Sequence, residues 1–266
     1  MEKSDEAPQT ARGEVEPLPA DPIRSTSFFA TLDRLLRARE SFFDEIYEGQ
    51  TVGMRLRWFL LSTVLLSGLY GVTMGCAGFG QGFVQGILQS LTSAIKVPVL
   101  FLLSLTVCFP VLYIVVVLMG ARLSFIRTLS LIMMALTLNS ILLASCAPIV
   151  IFFVLTGSSY EFIKLLHVAI FGFSGLWAML SLLQGLRAMC ERSDLYPRQA
   201  VRILGIWVLV FGFVGTQMAW SLRPFVGSPN TKFQLFREGQ AGNFYTSVWS
   251  SIVSLSGHPG NRNQND

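Results

Sequence analysis

Five apolar blocks, each about twenty residues long and nearly free of charge, dominate this sequence. A helix needs about 20 apolar residues in succession to cross a hydrocarbon core of about 30 Å. Only 14% of the 266 residues are charged, whereas about 25% is usual in soluble domains. We therefore predict an all-α fold, a polytopic membrane protein with five transmembrane helices and additional amphipathic interfacial helices. The predicted spans cover residues 58–75, 97–119, 128–155, 162–186 and 203–222.

The segments on either side of this membrane domain, residues 58–222, are more polar. Residues 1–24 contain six acids and four Pro. They are expected to form a disordered acidic arm, because they cannot bury enough apolar surface to become ordered. Residues 25–49 are predicted to form a cytoplasmic amphipathic helix. Residues 223–266 are expected to be an extracytoplasmic tail that contains an amphipathic helix at 244–255.

The amphipathic helix predicted at 25–49 carries Leu32, Leu35 and Phe42 on one side and Arg37 on the other. A helix rich in Arg and Phe shortly before a span can lie in the plane of the lipid headgroups. This pattern favours a position on the membrane surface. Helices of the same kind also bind apolar grooves, so a soluble partner is the alternative.

Two short segments on the predicted outer face have polar sides without charge. In residues 79–91, Gln81, Gln85 and Gln89 recur with a period of four beside an apolar stripe. In residues 244–255, Ser and Thr occupy one side and large apolar residues the other. Both patterns predict short amphipathic helices. Because an uncharged polar face can rest against protein, we expect either a lid packed over the bundle or ordinary interfacial helices.

Cations at the ends of the blocks predict the orientation of the chain, because Lys and Arg are retained on the cytoplasmic side of a membrane. One set of block ends carries eight arginines, Arg55, Arg57, Arg122, Arg127, Arg187, Arg192, Arg198 and Arg202. The opposite set carries five cations, Lys96, Lys164, Arg223, Lys232 and Arg237. With five spans, the N-terminus is expected in the cytoplasm and the C-terminus outside it. The sequence has no Asn-x-Ser/Thr acceptor site, which favours a bacterial inner membrane.

Aromatic and basic residues at the block ends are predicted to be interface anchors. Trp58 opens the first block, while Trp220 and Arg223 close the fifth. Aromatic rings of this kind favour the headgroup level, and an Arg can extend its guanidinium there while its stem stays in hydrocarbon. Pro224 then ends the helix.

Few ionisable groups lie within the blocks. His167 follows Glu161 and Lys164 on the first turns of the fourth predicted helix. These three residues form either an ion- or proton-coupling set or, the interpretation we favour, an interfacial pair above a His that packs as a polar residue. Asn139 and Gln217 are expected to bond between helices or, alternatively, to line a pathway.

No motif for nucleotide binding, hydrolysis or metal binding occurs in the sequence. We expect no catalytic residue, no cofactor, no metal site and no nucleic-acid partner. The four Cys are spread singly and are expected to be small packing residues. Gly71 and Gly75 form a GxxxG pair, and Ser174 and Ala178 a second pair of small residues, both of which permit close helix approach.

Three stretches carry a resemblance, namely IKVPVLFLLSLTVCFPVLY, MGARLSF and GTQMAWSLRPFVGSP. They resemble a group of uncharacterised bacterial multi-pass membrane proteins. Five spans with a cytoplasmic N-terminal arm are also similar to the plan of the Yip1-like membrane proteins. The resemblance covers about residues 96–245. It implies a five-helix fold and a membrane location, and it brings no catalytic residues.

These observations favour a non-enzymatic scaffold or subunit that acts through helix–helix and lipid contacts. Its expected partners are membrane lipid and either a second copy of the chain or another membrane protein. The alternative is a channel or permease subunit, because Pro110 and Pro148 interrupt two spans and Asn139 and Gln217 supply polar groups. An enzyme acting on lipid would need a cluster of acid, base or nucleophile that the spacing does not provide.

Overall fold

The computed structural model describes residues 28–37, 52–118, 125–192, 198–222, 225 and 244–255. Nearly all of the residues in these ranges are helical, and the ranges contain no strand. The elements are α1 (Phe28–Arg37), α2 (Val52–Gly75), a 3-10 turn (Cys76–Gln81), α3 (Phe83–Leu118), α4 (Phe125–Leu155), α5 (Tyr160–Arg192), α6 (Arg198–Ser221) and α7 (Phe244–Leu255).

Helices α2 to α6 form one bundle. Helix α2 packs on α3 and α4, α4 packs on α5, and α6 packs on both α3 and α5. Helix α1 lies against α2, and α7 lies against α5 and α6. The end of the bundle near Arg57, Arg127 and Arg202 is called the arginine end. The opposite end, with the 3-10 turn and the turn at Gly157, is called the loop end.

Two buried apolar clusters fill the bundle, one towards each end. The arginine-end cluster comprises Leu35, Phe59, Leu105, Cys108, Phe109, Leu112, residues 131–136, Leu138, Leu182 and Trp207. The loop-end cluster comprises Tyr70, Met74, Val97, Phe101, Leu143, Ala147, Val150, Ile163 and Ile170, with Phe225 packed against it. Residues early in α2, α4 and α6 share the first cluster with residues late in α3 and α5, so neighbouring helices in the chain run antiparallel.

Four of the described helices are long and apolar enough to cross a membrane. They span Leu56–Phe79, Phe83–Ile114, Phe125–Leu155 and Tyr160–Gln184. The prediction of an all-α chain with long apolar helices is confirmed at these four places. The fifth predicted span, 203–222, is also helical, but its apolar part, Gly205–Ser221, is shorter than the other four.

Helix α3 differs from the sequence-based prediction. Residues 79–91 were expected to form a short helix separate from the span at 97–119, whereas a single helix runs from Phe83 to Leu118 and passes through Pro98 and Pro110. The physical reason is packing against α2. Gln89 and Ser93, early in α3, are buried like the apolar residues that follow them, so one continuous face of α3 is covered.

Gly71 and Gly75 make that packing close. A Cβ atom on Gly71 would lie 2.4 Å from the Ser93 carbonyl oxygen, and one on Gly75 would lie 2.2 Å from the Ser90 Cα. No real side chain tolerates such distances from backbone atoms. The predicted close helix approach at this GxxxG pair is therefore confirmed, and its partner is the first half of α3.

The outward faces of α2 to α6 are strongly apolar. Exposed residues include Leu61, Leu65 and Leu69 of α2, Val107 and Ile114 of α3, Phe152 of α4, Phe173, Leu176 and Leu180 of α5, and Ile206, Leu209 and Phe213 of α6. Soluble monomers rarely expose contiguous apolar patches larger than a few hundred Å². This exposed apolar belt is the surface expected of helices that contact lipid.

Helix α1 packs on the bundle with one of its sides. In α1, Leu35 is fully buried in the arginine-end cluster, while Leu36 beside it is exposed. Arg37 of α1 pairs with Asp33 at 2.7 Å on the exposed side. The arm at 1–24 and the second half of the predicted helix at 25–49, with Phe42, lie outside the described residues. The position of this helix on the membrane surface stays a prediction.

Candidate functional site

A deeply buried polar pair joins α2 to α5 near the loop end. The Tyr70 hydroxyl lies 2.8 Å from Nδ1 of His167, and the two residues are 0% and 3% exposed. The Tyr70 ring meets Phe171 edge-on, with 5.5 Å between the ring centroids. Because a lipid-facing apolar block offers no partner for a hydroxyl, a Tyr within one needs a protein acceptor. Tyr70 was missing from the sequence-based candidates, although its place inside an apolar block was a usable signal.

The direction of this hydrogen bond follows from counting donors. A neutral imidazole has one N–H and one acceptor nitrogen. If Nδ1 carried the proton, both the Tyr70 hydroxyl hydrogen and the Nε2 lone pair would be unpaired. If Tyr70 donates to Nδ1, only the Nε2 hydrogen is unpaired, so this arrangement is favoured. Nε2 of His167 has no hydrogen-bond partner among the described residues.

Glu161 and Lys164 lie nearer the start of α5, towards the loop end. The Lys164 ammonium is 3.5 Å from the Glu161 carboxylate, and both side chains are partly covered. Lys164 also donates to the Ser247 carbonyl of α7 at 3.2 Å. Glu161 and Lys164 therefore pair with each other, while the hydrogen-bond partner of His167 is Tyr70. These contacts agree with the interpretation favoured from the sequence, in which Glu161 pairs with Lys164 and His167 packs as a polar residue.

A second polar junction joins α2 to α4 in the other half of the bundle. The hydroxyls of Thr63 and Thr137 are 3.2 Å apart, and Thr137 also lies 3.1 Å from the Phe59 carbonyl. Asn139, two residues further along α4, is buried, and its Oδ1 has no partner within the described ranges. The apolar residues around Asn139 belong to the arginine-end cluster and those around His167 to the loop-end cluster. The structure does not bring these two predicted residues into one site.

The remaining predicted residues lie at the ends of the bundle. Gln217 is half-buried on α6, near the loop end. Trp58 and Trp220 are half-buried near the arginine end and the loop end, respectively. Arg223 lies outside the described residues, so its anchoring role stays a prediction.

Phe225 makes a contact that the sequence did not indicate. Its side chain packs against the loop-end cluster. Its carbonyl oxygen accepts hydrogen bonds from Gln89 Nε2 at 3.0 Å and from Ser93 Oγ at 2.5 Å. The Gln stripe of 79–91, predicted to rest against protein or water, therefore has one member that binds the backbone just after α6.

The described residues contain no group of His, Cys, Asp and Glu that could hold a metal ion. Cys76, Cys108 and Cys146 are free thiols. The arrangement defines a class, a helical protein with four helices long and apolar enough to cross a membrane, in which several buried polar groups bond one helix to another. Comparison with protein-family models, curated proteins and solved structures finds no match.

Proposed function

We propose that this chain is a non-enzymatic integral membrane protein that works by association with lipid and with a second copy of itself or another membrane protein. One observation carries the proposal. Polar side chains inside the bundle join one helix to another, as in Tyr70 to His167 and Thr63 to Thr137, and others bond to carbonyls of their own helix. The surface left for partners consists largely of exposed apolar helix faces.

The proposal includes α6 as a fifth span, and tertiary contacts support it. Trp207, early in α6, donates through Nε1 to the Cys108 carbonyl at 2.9 Å and belongs to the arginine-end cluster. Phe225, four residues after α6 ends at Ser221, packs against the loop-end cluster. A helix of 24 residues is about 36 Å long, enough for a hydrocarbon core of about 30 Å. Helix α6 therefore runs the length of the bundle although its apolar part is short.

The orientation proposed is the one predicted from the arginines, with the arginine end in the cytoplasm and the loop end outside it. Five spans and a cytoplasmic arm also agree with the resemblance to Yip1-like bacterial membrane proteins, and the proposed location is the bacterial inner membrane. A reporter fused after Asp266 is expected to be active outside the cytoplasm, and one inserted after Arg192 inside it. Activity of both reporters in the same compartment would contradict the five-span topology.

Association is tested by cysteine crosslinking in native membranes. Single Cys residues at the exposed positions Leu65, Leu176 and Leu209 sample three outward faces, and a Cys at the buried position Leu143 is the matched control. We expect at least one exposed position to yield a dimer or a crosslinked partner that the control does not. Monomers alone at every position and every expression level would contradict association.

A channel or permease subunit is the second candidate, and one observation favours it. His167 Nε2 and Asn139 Oδ1 are buried polar atoms without partners among the described residues. Polar groups of this kind can mark a pathway through a bundle. Purified protein in vesicles would then pass protons or small ions, and His167→Phe would reduce the flux. A flux equal to that of empty vesicles would remove this candidate.

A further inference from the structure

Helix α7 lies against α5 and α6, and its contacts fall inside the loop-end limits of these two helices. The Tyr245 hydroxyl is 3.3 Å from the Thr216 hydroxyl, and the Tyr245 ring stacks on Phe213 with 6.5 Å between centroids. Thr216 and Phe213 precede the end of α6 at Ser221 by five and eight residues. At 1.5 Å per residue, these contacts lie about 8 and 12 Å inside the end of α6. The contact with Lys164 is likewise about 6 Å inside the start of α5.

Helix α7 buries a serine and exposes large apolar side chains. Ser251 is 1% exposed and faces the bundle, whereas Trp249 is 69% exposed. Tyr245 and Ile252 are exposed on the same side as Trp249, at a spacing of four and three residues. The side of α7 that faces the bundle thus contains Ser251 and the backbone carbonyl that accepts from Lys164, and much of the apolar surface of α7 points outward.

The hydroxyl groups of Tyr245, Ser250 and Ser251 have partners within the protein, and Ser250 has one although its side chain is exposed. Ser250 and Ser251 both donate to the Ser247 carbonyl at 2.9 Å, the same oxygen that accepts from Lys164. The Tyr245 hydroxyl is bonded to Thr216. Residues 244–255 carry no formal charge. Since these polar side chains are bonded without water, hydrocarbon can cover the helix at little cost.

The outward face of α7 is also continuous with the exposed apolar belt of the bundle. Phe213 of α6 belongs to that belt, and it stacks directly on Tyr245. Hydrocarbon that covers Phe213 at this depth would reach Tyr245 and, along the same stripe, Trp249 and Ile252. If α7 faced water instead, the exposed Trp249 ring would contact water directly beside the apolar belt.

We propose that α7 is embedded in the leaflet at the loop end, with lipid hydrocarbon against Tyr245, Trp249 and Ile252. Its inward side, with Ser251 and the Ser247 carbonyl that accepts from Lys164, shields the Lys164–Glu161 pair from that hydrocarbon. This inference rests on the proposed membrane location. It assigns lipid as the occupant of this surface and gives α7 the role of a cover for a charged pair beside the spans.

Spin-label accessibility in vesicles tests the proposal with the full chain. Cys76, Cys108, Cys146 and Cys190 are first replaced by Ala. A single label is then introduced by Trp249→Cys or Ile252→Cys. Leu209→Cys, in the exposed belt of α6, is the lipid reference, and Arg57→Cys, exposed at the arginine end, is the water reference. The readout is the collision rate with oxygen, which concentrates in hydrocarbon, relative to that with a water-soluble nickel chelate.

We expect the oxygen-to-nickel ratio at Trp249 and Ile252 to be close to that at Leu209 and several-fold above that at Arg57. Ratios near the Arg57 value would place α7 in water and overturn the inference. Protection from both reagents, with spin–spin broadening, would show a second copy on α7 and would also overturn it. If Leu209 itself gave the ratio of Arg57, the proposed membrane location would be wrong. The Leu209 reference therefore distinguishes a failure of the membrane location from a failure of the inference about α7.

Discussion

Both halves of the bundle contain hydrogen bonds between helices, but they differ in the size of the apolar cluster and in how closely the helix backbones approach. At the arginine end, α1 to α6 all contribute side chains to one large apolar cluster. At the loop end, a smaller cluster is combined with polar bonds, from Tyr70 to His167 and from Gln89 and Ser93 to the Phe225 carbonyl. The loop end is also where Gly71 brings α2 and α3 into backbone contact.

This difference shows two ways to hold helices together in lipid. Helix association in a membrane depends on van der Waals packing and interhelical hydrogen bonds, because lipid is as apolar as the side chains. Packing in the arginine-end cluster is spread over many residues. In the loop half, the apolar cluster is smaller, and the backbones of α2 and α3 approach closely at Gly71 and Gly75. Substitutions at the two ends should therefore differ in the size and the additivity of their effects.

The largest effect is expected from Gly71→Val. The new Cβ would meet the Ser93 carbonyl oxygen at 2.4 Å, so the backbones of α2 and α3 would have to separate. Overpacking typically costs about 1–3 kcal/mol, and a backbone clash belongs at the upper limit of that range or above it. Unfolding in mixed detergent micelles measures the change. Gly175→Val is the control, because a Cβ there meets no atom within 4 Å. Equal losses for the two variants would mean that the close contact is not what stabilises the loop end.

Leu112→Ala should have the next largest effect, now at the arginine end. Leu112 is 1% exposed within the arginine-end cluster, so its removal leaves a cavity. Large-to-small core substitutions cost about 2–5 kcal/mol in soluble proteins, and we expect a loss of about 2 kcal/mol because lipid also solvates the unfolded helix. Leu118→Ala, at an 80% exposed position of the same helix, should change the unfolding free energy little. A loss at Leu118 as large as that at Leu112 would contradict the assigned core.

Tyr70→Phe is expected to cost about 1 kcal/mol, since interhelical hydrogen bonds in membranes average about 0.6 kcal/mol and reach about 1.7. The double-mutant cycle with His167→Phe isolates the bond from the packing of either ring. A coupling energy of that size would confirm that the pair stabilises the loop end. Additive losses would show that the 2.8 Å contact contributes nothing specific.

Gln89→Leu should have the smallest effect, about 0.6 kcal/mol, because Ser93 still donates to the Phe225 carbonyl. Its sharper readout is protease sensitivity of the segment after α6, which should rise when one of two bonds to Phe225 is lost. Gln184→Leu, at an exposed position of α5, is the control. Unchanged cleavage in Gln89→Leu would mean that packing of the Phe225 ring alone holds the segment.

Sequence reasoning succeeded where the length of an apolar run was itself the signal. The helices at Phe125–Leu155 and Tyr160–Gln184 lie close to the predicted spans at 128–155 and 162–186. It failed at the start of α3, because a window over 79–91 contains amides and glycines that resemble a separate surface helix. Gln89 and Ser90 of that window are buried, and Gly75 of α2 approaches Ser90 closely, a contact that a local window does not contain.

The candidate site was only partly predictable for the same reason. His167 stood out in the sequence as a titratable side chain within an apolar block. Its partner Tyr70 is 97 residues away, and no spacing rule connects the two. Asn139 and Gln217 were found by the same criterion, a polar residue in an apolar block. Polarity alone did not indicate that Asn139 and His167 lie in different halves of the bundle.

The sequence by itself determined that the chain is helical and which of its segments are apolar. A backbone in hydrocarbon satisfies its hydrogen bonds within its own helix, so this property depends only on local composition. Tertiary structure alone decided that Tyr70 meets His167, that Phe225 is bound by α3, and that the Ser247 carbonyl of α7 meets Lys164. Each of these contacts joins residues that are far apart in the chain, and their geometry depends on how closely whole helices approach one another.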